Sequence, residues 1–422
     1  MNLKIQESSS NYACEIVQIA HLSPIEGADK IQRCLVQNQT IIVSKEVKKG
    51  DVMALFVSGS QLSHDYCYEN SLYENKEINK DVESKGFINS KRRVRALKLR
   101  GIISEGMLMP LSSFDYIAHL DEFEIGDRFT CIDDINVVQK YVVEQKVNIS
   151  TQSNKPTINK LKWLMIDGQF KFHSDTSHLE RNIHQISPSD FIVITEKIHG
   201  ASIILAKLLV KKNLTWKDKV AQFFNIEVVS SHFKGIWSSG KPKSNQVKGV
   251  EDNYVTDNMH FYNEDIWKKA YDKYSYAIEP GISLYGELCH NTQKGYDYSK
   301  LNDMVVYKIT RTNAEGNVDV FSWDMIEKYC QKYELQTVPR LYKGYINDLC
   351  KFSIIQENFE KQFLEYLSVN YLEKYCQYCT NKVPNEGICV QIGNNVYKYK
   401  SKMFKLHEDK QQESGEIDIE SN

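Results

Sequence analysis

The sequence predicts an α+β protein: a small β-barrel followed by a larger antiparallel-sheet unit with flanking helices. Between residues 14 and 134, short runs of apolar and β-branched residues are broken by turn residues, with little helical periodicity. After a polar stretch at 144–160, strand-like runs alternate with three segments of helical period. The 422 residues also exceed what one small core organises, so two or three domains are expected.

Taken in order, strands are expected at 13–19, 31–36, 40–43, 52–57, 93–97, 106–109 and 128–131, punctuated by Gly27, Gly50-Asp51 and Gly126-Asp127. Many short strands with little helix make a barrel. Residues 66–90, rich in Glu, Asn, Lys and Tyr, read as a long surface loop, and 144–160, with Ser, Thr, Asn, Gln and Pro156, as a linker. Strands follow at 192–195, 201–205, 228–231, 282–285, 305–309, 387–391 and 396–400.

A helix at 263–275 opens on Asn263 and repeats Ile266, Ala270 and Tyr274; another at 322–333 opens on Ser322, with Trp323, Ile326, Cys330 and Tyr333 on one side. A third, at 353–375, starts with a Ser353/Gln356 capping box and carries Ile355, Phe359, Phe363 and Leu367. These stripes read as core and are given no chemistry. Residues from 405 onward are polar and acidic, a frayed tail. The expected units are 1–143, a linker at 144–160, 161–407, and a tail at 408–422.

A formal net charge of −2, with 41% hydrophobic and 26% charged residues, describes a soluble globular chain that is not broadly basic. Nucleic-acid contact would need a local patch, and the run from Lys91 to Arg100 supplies one. The N-terminal segment is polar and no run approaches 18 apolar residues, which predicts a cytoplasmic protein. Ten cysteines without framework spacing fit reduced thiols. Cys376-x-x-Cys379 lacks a second paired half-site, so structural thiols are expected there rather than metal.

Chemistry centres on Lys197, which an apolar strand delivers into a tight turn at Gly200. A lysine attacks phosphorus or carbonyl only as the free amine, so burial or neighbouring positive charge must lower its proton affinity. Three further signals follow: Tyr285-Gly286-Glu287, Glu386-Gly387-Ile388 and Lys398-Tyr399-Lys400. The spacing is 90 residues from Lys197 to Glu287, 99 on to Glu386 and 12 on to Lys398. Gly393-Asn394-Asn395 would turn the last two signals into one hairpin, and alternation places Lys398 and Lys400 on one face. Singly, each glutamate reads more readily as an ordinary salt-bridge partner, and Lys398 with Lys400 as one solvated face of an edge strand. Together, carboxylate oxygens suit Mg²⁺ or Mn²⁺ and paired lysines suit phosphate.

In order and content these motifs resemble the covalent nucleotidyltransferase superfamily of ATP-dependent ligases and capping enzymes. The resemblance implies that Lys197 forms a phosphoramidate to AMP, Glu287 holds the ribose, Glu386 supports a metal ion, and Lys398 and Lys400 contact the α-phosphate. Glu196 and Gly200 would border the nucleotide. Ser231 would fill the small position of the second motif, with His232 or Lys234 in place of its usual basic residue.

A leading β-rich unit, with nothing of that size after Lys400, resembles the Deinococcus-type RNA ligase family, as do residues 24–29, 98–106 and 172–176. That resemblance implies an N-terminal OB-like β-barrel and an antiparallel-sheet nucleotidyltransferase (ATP-grasp-like ligase) domain with flanking helices. It further implies ATP and a divalent metal as cofactors, and RNA or an RNA-containing nicked duplex as partner, with Arg93, Arg95 and Arg100 on its phosphates. A monomer without membrane attachment is expected. A DNA ligase, a capping-type enzyme and an inactive tRNA-binding or other nucleic-acid-binding protein remain open alternatives.

Overall fold

The computed structural model describes residues 5–118, 122–142, 162–226, 228, 230–240, 249–252, 265–290, 295–349 and 359–413. The linker expected at 144–160 lies outside them. So does the Ser353/Gln356 capping box.

The first unit is built on an antiparallel sheet in the order Ile5–Glu7, Arg128–Ile132, Cys14–Gln18, Val52–Val57, Gly106–Pro110. A second antiparallel sheet joins His21–Pro24, Ile31–Val36 and Gln39–Ser44. Alternation fills a core on each face of the first sheet. Ile16, Phe56 and Phe129 enter one cluster, while Val17, Leu55 and Ile41 enter the other. Strands buried on both sides read as continuous apolar runs, which is why 52–57 was legible.

Two expectations fail here. Residues 66–90 are not simply a surface loop: the helix His64–Glu69 is capped by the Ser63 side chain and buries Tyr66 and Cys67, and the Tyr66 hydroxyl donates to Ser113 Oγ at 2.7 Å. Large aromatics scattered through a polar run were its core contacts. Nor is 93–97 a strand. Arg93 makes only an isolated bridge to Gln61, and the strand is Leu97–Leu99, hairpinned to Ile102–Ser104.

The second unit holds two antiparallel-rich sheets. One runs Gly249–Val250, Ser231–Ser239, Ala201–Lys212, Ile282–Leu288, Met304–Thr312, Val318–Val320. The other runs Ser177–His178, Asn395–Lys400, Gly387–Ile392, Phe191–Lys197, Arg340–Tyr345. Helix Ile266–Tyr274 buries Trp267, Ala270, Tyr271 and Tyr274, and helix Trp323–Lys332 buries Trp323, Ile326, Tyr329 and Cys330. Both pack into the cluster that contains Leu205, Leu284 and Val305. Helix Phe359–Leu367 stacks Phe359, Phe363 and Leu367 on Ile192, Ile194, Ile388 and Val390 of the other sheet. Truncating a fully buried ring such as Phe363 to alanine costs about 3–5 kcal/mol.

The first of these helices starts at Ile266 with Asp265 as its cap, the carboxylate accepting from the Lys268 N–H at 2.9 Å; Asn263 lies outside the described residues. The expected strand at 228–231 is instead Ser231–Ser239, in register with Lys211 back to Ile203. Its polar ends hid it, and so did Gly235, where the Tyr271 hydroxyl occupies the space of a side chain. Strand Arg340–Tyr345 went unread for similar reasons. Residues 402–413 form a helix rather than a frayed tail, with Phe404 and Lys405 buried. Among the described residues no helix is long and apolar enough to cross a membrane.

Candidate active site

A cleft of about 360 Å³ opens between the two sheets of the second unit, lined by Lys197, Cys389 and Lys398 from one sheet and Ser202, Glu287 and Tyr307 from the other. That volume suits one small-molecule ligand. Lys197 ends its strand opposite Gly387, and Thr195 pairs with Cys389 and Cys389 with Lys398. Directly paired residues share a face, so Lys197, Lys398 and Lys400 all project toward the cleft side of their sheet.

The motif glycines are demanded by backbone packing. A Cβ on Gly200 would stand 2.4 Å from the Leu288 carbonyl oxygen, and one on Gly387 would stand 2.2 Å from that of Tyr399. Each seats a charged residue against a neighbouring strand. The turn after Lys197 is fixed further by the His199 N–H, which donates to Tyr298 Oη at 2.7 Å.

Glu386 is fully buried at the base of this group. Its Oε1 lies 2.6 Å from Lys197 Nζ and 3.5 Å from Lys400 Nζ, and its Oε2 lies 3.8 Å from His199 Nδ1. The Glu386 carbonyl accepts the Ser401 N–H at 2.9 Å, which ties the glutamate to the end of the lysine strand. In a low-dielectric pocket one carboxylate facing two lysine side chains is a strong electrostatic lock, which holds the Lys197 amine against Glu386. Burial pushes the nearby His178 imidazole well below its usual range, and the positive charges of Lys398 and Lys405 add to the effect.

Glu287 lies on the opposite wall, paired with Ser202. Residues 173–176 also line the cleft, and the His173 N–H donates to the Gly240 carbonyl at 3.2 Å. An apolar patch of Val320, Phe321, Trp323, Ile326 and Val338 completes the wall. Trp323 and Ile326 were read as core alone; they are core residues whose edges face the cleft.

One expectation is narrowed and two are corrected. Glu196 pairs with Ile388, a member of the buried cluster on the other face of the sheet, so its side chain points away from Lys197 and only its backbone borders the cleft. That carboxyl is pushed up to about 7 by burial, against the pull of Lys374. Ser231 sits eight residues down its strand from Ser239, roughly 26 Å from the cleft end, with His232 against the Trp163 ring and Lys234 paired to Asp252 at 2.6 Å. On this strand and just past it, the small residues that line the cleft are Ser239 and Gly240. The run Ser238-Ser239-Gly240-Lys241 was the signal for them; Lys241 lies outside the described residues.

The basic run is divided as well. Arg93 is buried, with Nη2 2.6 Å from Asp409 and 3.9 Å from Glu408, so two carboxylates already face its charge, and it borders a small second cavity with Lys398, Lys400 and Lys405. Arg95 lies 3.5 Å from Glu74. Arg100 occupies the exposed positive-φ turn between Leu97–Leu99 and Ile102–Ser104, where it is open to a ligand.

Among the described residues no group of three or more His, Cys, Asp or Glu converges to hold a metal ion. A small hard cation that keeps most of its waters needs only one or two carboxylates plus substrate phosphates, and the buried Glu386 fits that donor set. Cys376 and Cys379 are free and buried.

An OB-type barrel joined to a two-sheet nucleotidyltransferase fold, with a lysine and two glutamates around its cleft, defines the covalent ligase class of architecture. A family model for RNA ligase matches residues 190–407, and one for an OB-fold domain matches residues 13–111. The chain belongs to the RNA ligase family. Solved structures of Naegleria gruberi RNA ligase share the fold. An apo variant is 16% identical with a TM-score of 0.60, covering 94% of this chain and 98% of that one. The complex with PPi is 17% identical with a TM-score of 0.59, covering 94% and 99%. A variant with ATP and Mn is 15% identical with a TM-score of 0.58, covering 93% and 98%. No curated protein matches.

Proposed function

We propose that the chain is an ATP-dependent RNA ligase of the Deinococcus type, joining 5′-phosphate and 3′-hydroxyl ends through a lysyl-AMP intermediate. Its substrate in this reading is a nicked duplex with a ribonucleotide on the 3′-hydroxyl side. Residues 1–143 would serve as the nucleic-acid-binding unit and those from 161 as the adenylyltransferase. The observation that carries the reading is the cluster of Lys197, Glu386 and Lys400 beside a nucleotide-sized cleft. The ATP, AMP, PPi and Mn of the Naegleria structures support the choice of nucleotide and cation.

In the first step Lys197 Nζ attacks the α-phosphorus; an N–P bond forms, the bond to the leaving oxygen breaks, and pyrophosphate departs. The 5′-phosphate of the acceptor then displaces Lys197, and finally the 3′-hydroxyl oxygen attacks that 5′-phosphorus and AMP leaves. Each displacement needs positioning and charge stabilisation more than proton transfer. Glu287 binds the ribose, Lys398 and Lys400 hold the α-phosphate, and the Glu196 backbone with Gly200 borders the base. A divalent cation held by Glu386 and the phosphates would supply charge that favours the neutral Lys197 amine.

Incubation with α-labelled ATP and Mg²⁺ or Mn²⁺ tests this directly. Acid-stable label on the native chain, absent from Lys197→Ala, is the expected result; an unlabelled native chain sinks the reading. Labelling by α-labelled GTP would favour the capping alternative, and sealing that ignores the sugar on the 3′-hydroxyl side would remove the preference for RNA.

A further inference from the structure

Glu408 belongs to none of the sequence motifs, yet it touches the site from behind. It lies on helix Lys402–Glu413, with Oε1 3.3 Å from Lys400 Nζ. The same lysine lies 3.5 Å from Glu386 Oε1, the oxygen that pairs with Lys197, so its ammonium is suspended between two carboxylates above the Phe404 ring. On its other side Glu408 faces Arg93 of the first unit at 3.9 Å. The adjacent Asp409 clamps that unit twice, through Arg93 at 2.6 Å and through the Ala96 N–H, which donates to Oδ2 at 2.6 Å. An unbroken series of charged contacts therefore runs from Arg93 to Lys197.

We propose that Glu408 is a positioning residue for Lys400, and that the Arg93–Asp409 clamp sets its place, so that docking of the first unit determines where the phosphate-binding lysine stands. The proposal rests on the ligase reading. Glu386 and Glu408 pull Lys400 in different directions. Without Glu408 the ammonium moves onto Glu386, away from the phosphate and into competition with Lys197 for one oxygen. A displacement of about 1 Å at such a group costs up to about a hundredfold in rate.

The test is single-turnover lysyl-AMP formation by the full chain across a range of α-labelled ATP concentrations. Glu408→Gln keeps the shape and removes the charge. It is expected to slow the step at saturating ATP by about tenfold or more while the half-saturating concentration moves by less than about threefold. Glu408→Asp should recover most of the rate, and Glu408→Gln should add nothing to Lys400→Ala. Arg93→Gln approaches from the other unit: its smaller slowing should disappear in the Glu408→Gln background. A Glu408→Gln chain as fast as native, or losses that multiply with Lys400→Ala, would overturn the proposal. A native chain that forms no lysyl-AMP overturns the ligase reading and the proposal built on it, a result distinct from an active native chain indifferent to Glu408.

Discussion

Glu386 and Glu105 are near twins in their surroundings and differ in what they do. Both carboxylates are almost wholly buried and each faces two lysines: Lys197 and Lys400 for Glu386, Lys405 at 2.8 Å and Lys402 at 2.9 Å for Glu105. Behind Glu105 lies more protein. Its Oε2 accepts the Thr40 N–H at 3.3 Å, and both its lysines return to the helix that joins the two units. Burial pushes the Glu105 carboxyl up, but Lys405 and Lys402 outweigh it and hold the group at about 2. Lys197 instead lines open space able to hold a nucleotide. A buried carboxylate between two lysines is thus a joint in one place and, in the proposed ligase reading, part of the reaction centre in the other, and the cleft makes the difference.

The largest effect that would break this comparison belongs to Lys197→Ala, which should abolish acid-stable label altogether. Glu386→Gln comes next: lysyl-AMP formation should fall by about a hundredfold or more, as expected when a group that acts on the reacting centre is lost. Its thermal midpoint should move by only a few degrees, because both lysines reach the cleft or its margin.

Glu105→Gln should show the reverse. Leaving the buried Lys405 short of its main partner costs about 3 kcal/mol in denaturant titration, while the rate of lysyl-AMP formation well below the melting temperature stays within about tenfold of native. The pH dependence has a definite sign. A carboxyl whose folded value is depressed from 4.5 to about 2 contributes its full stability above 4.5 and loses it as pH falls toward 2. Native stability should drop across that window, and Glu105→Gln should flatten the drop.

The smallest effect separates two arginines of one basic run. Arg100→Ala should reduce the salt slope of RNA binding by about 1 without altering melting. Arg93→Ala should lower the melting temperature and leave the slope alone.

Much of this was legible in the sequence because it follows from the strand period and from glycine. Gly200 and Gly387 mark places where a carbonyl leaves no room for a side chain, and such places sit beside a charge that must be held closely. The Lys398/Lys400 face followed from alternation. Misreadings arose where a residue's role depends on a distant partner. Arg93 reads as a phosphate ligand until Asp409 is placed against it. Ser231 was chosen for its small side chain, but only the nine-residue pairing with the neighbouring strand reveals that Ser239 and Gly240, not Ser231, reach the cleft. For Glu196 the strand period narrows the expected part to its backbone, since one step along a strand reverses side-chain direction.

The helix Lys402–Glu413 has a consequence for how the molecule is made. Its bonds to the first unit join residues 300 and 313 positions apart, Lys405 to Glu105 and Ala96 to Asp409. At ribosomal speeds of about 5–20 residues per second, that interval takes roughly 15–60 s to synthesise. The barrel has long been free to fold by then, with Glu105 and Arg93 still awaiting their partners. Docking is therefore a late event in synthesis, and until it happens the nascent ligase cannot assemble the contacts that fix Lys400.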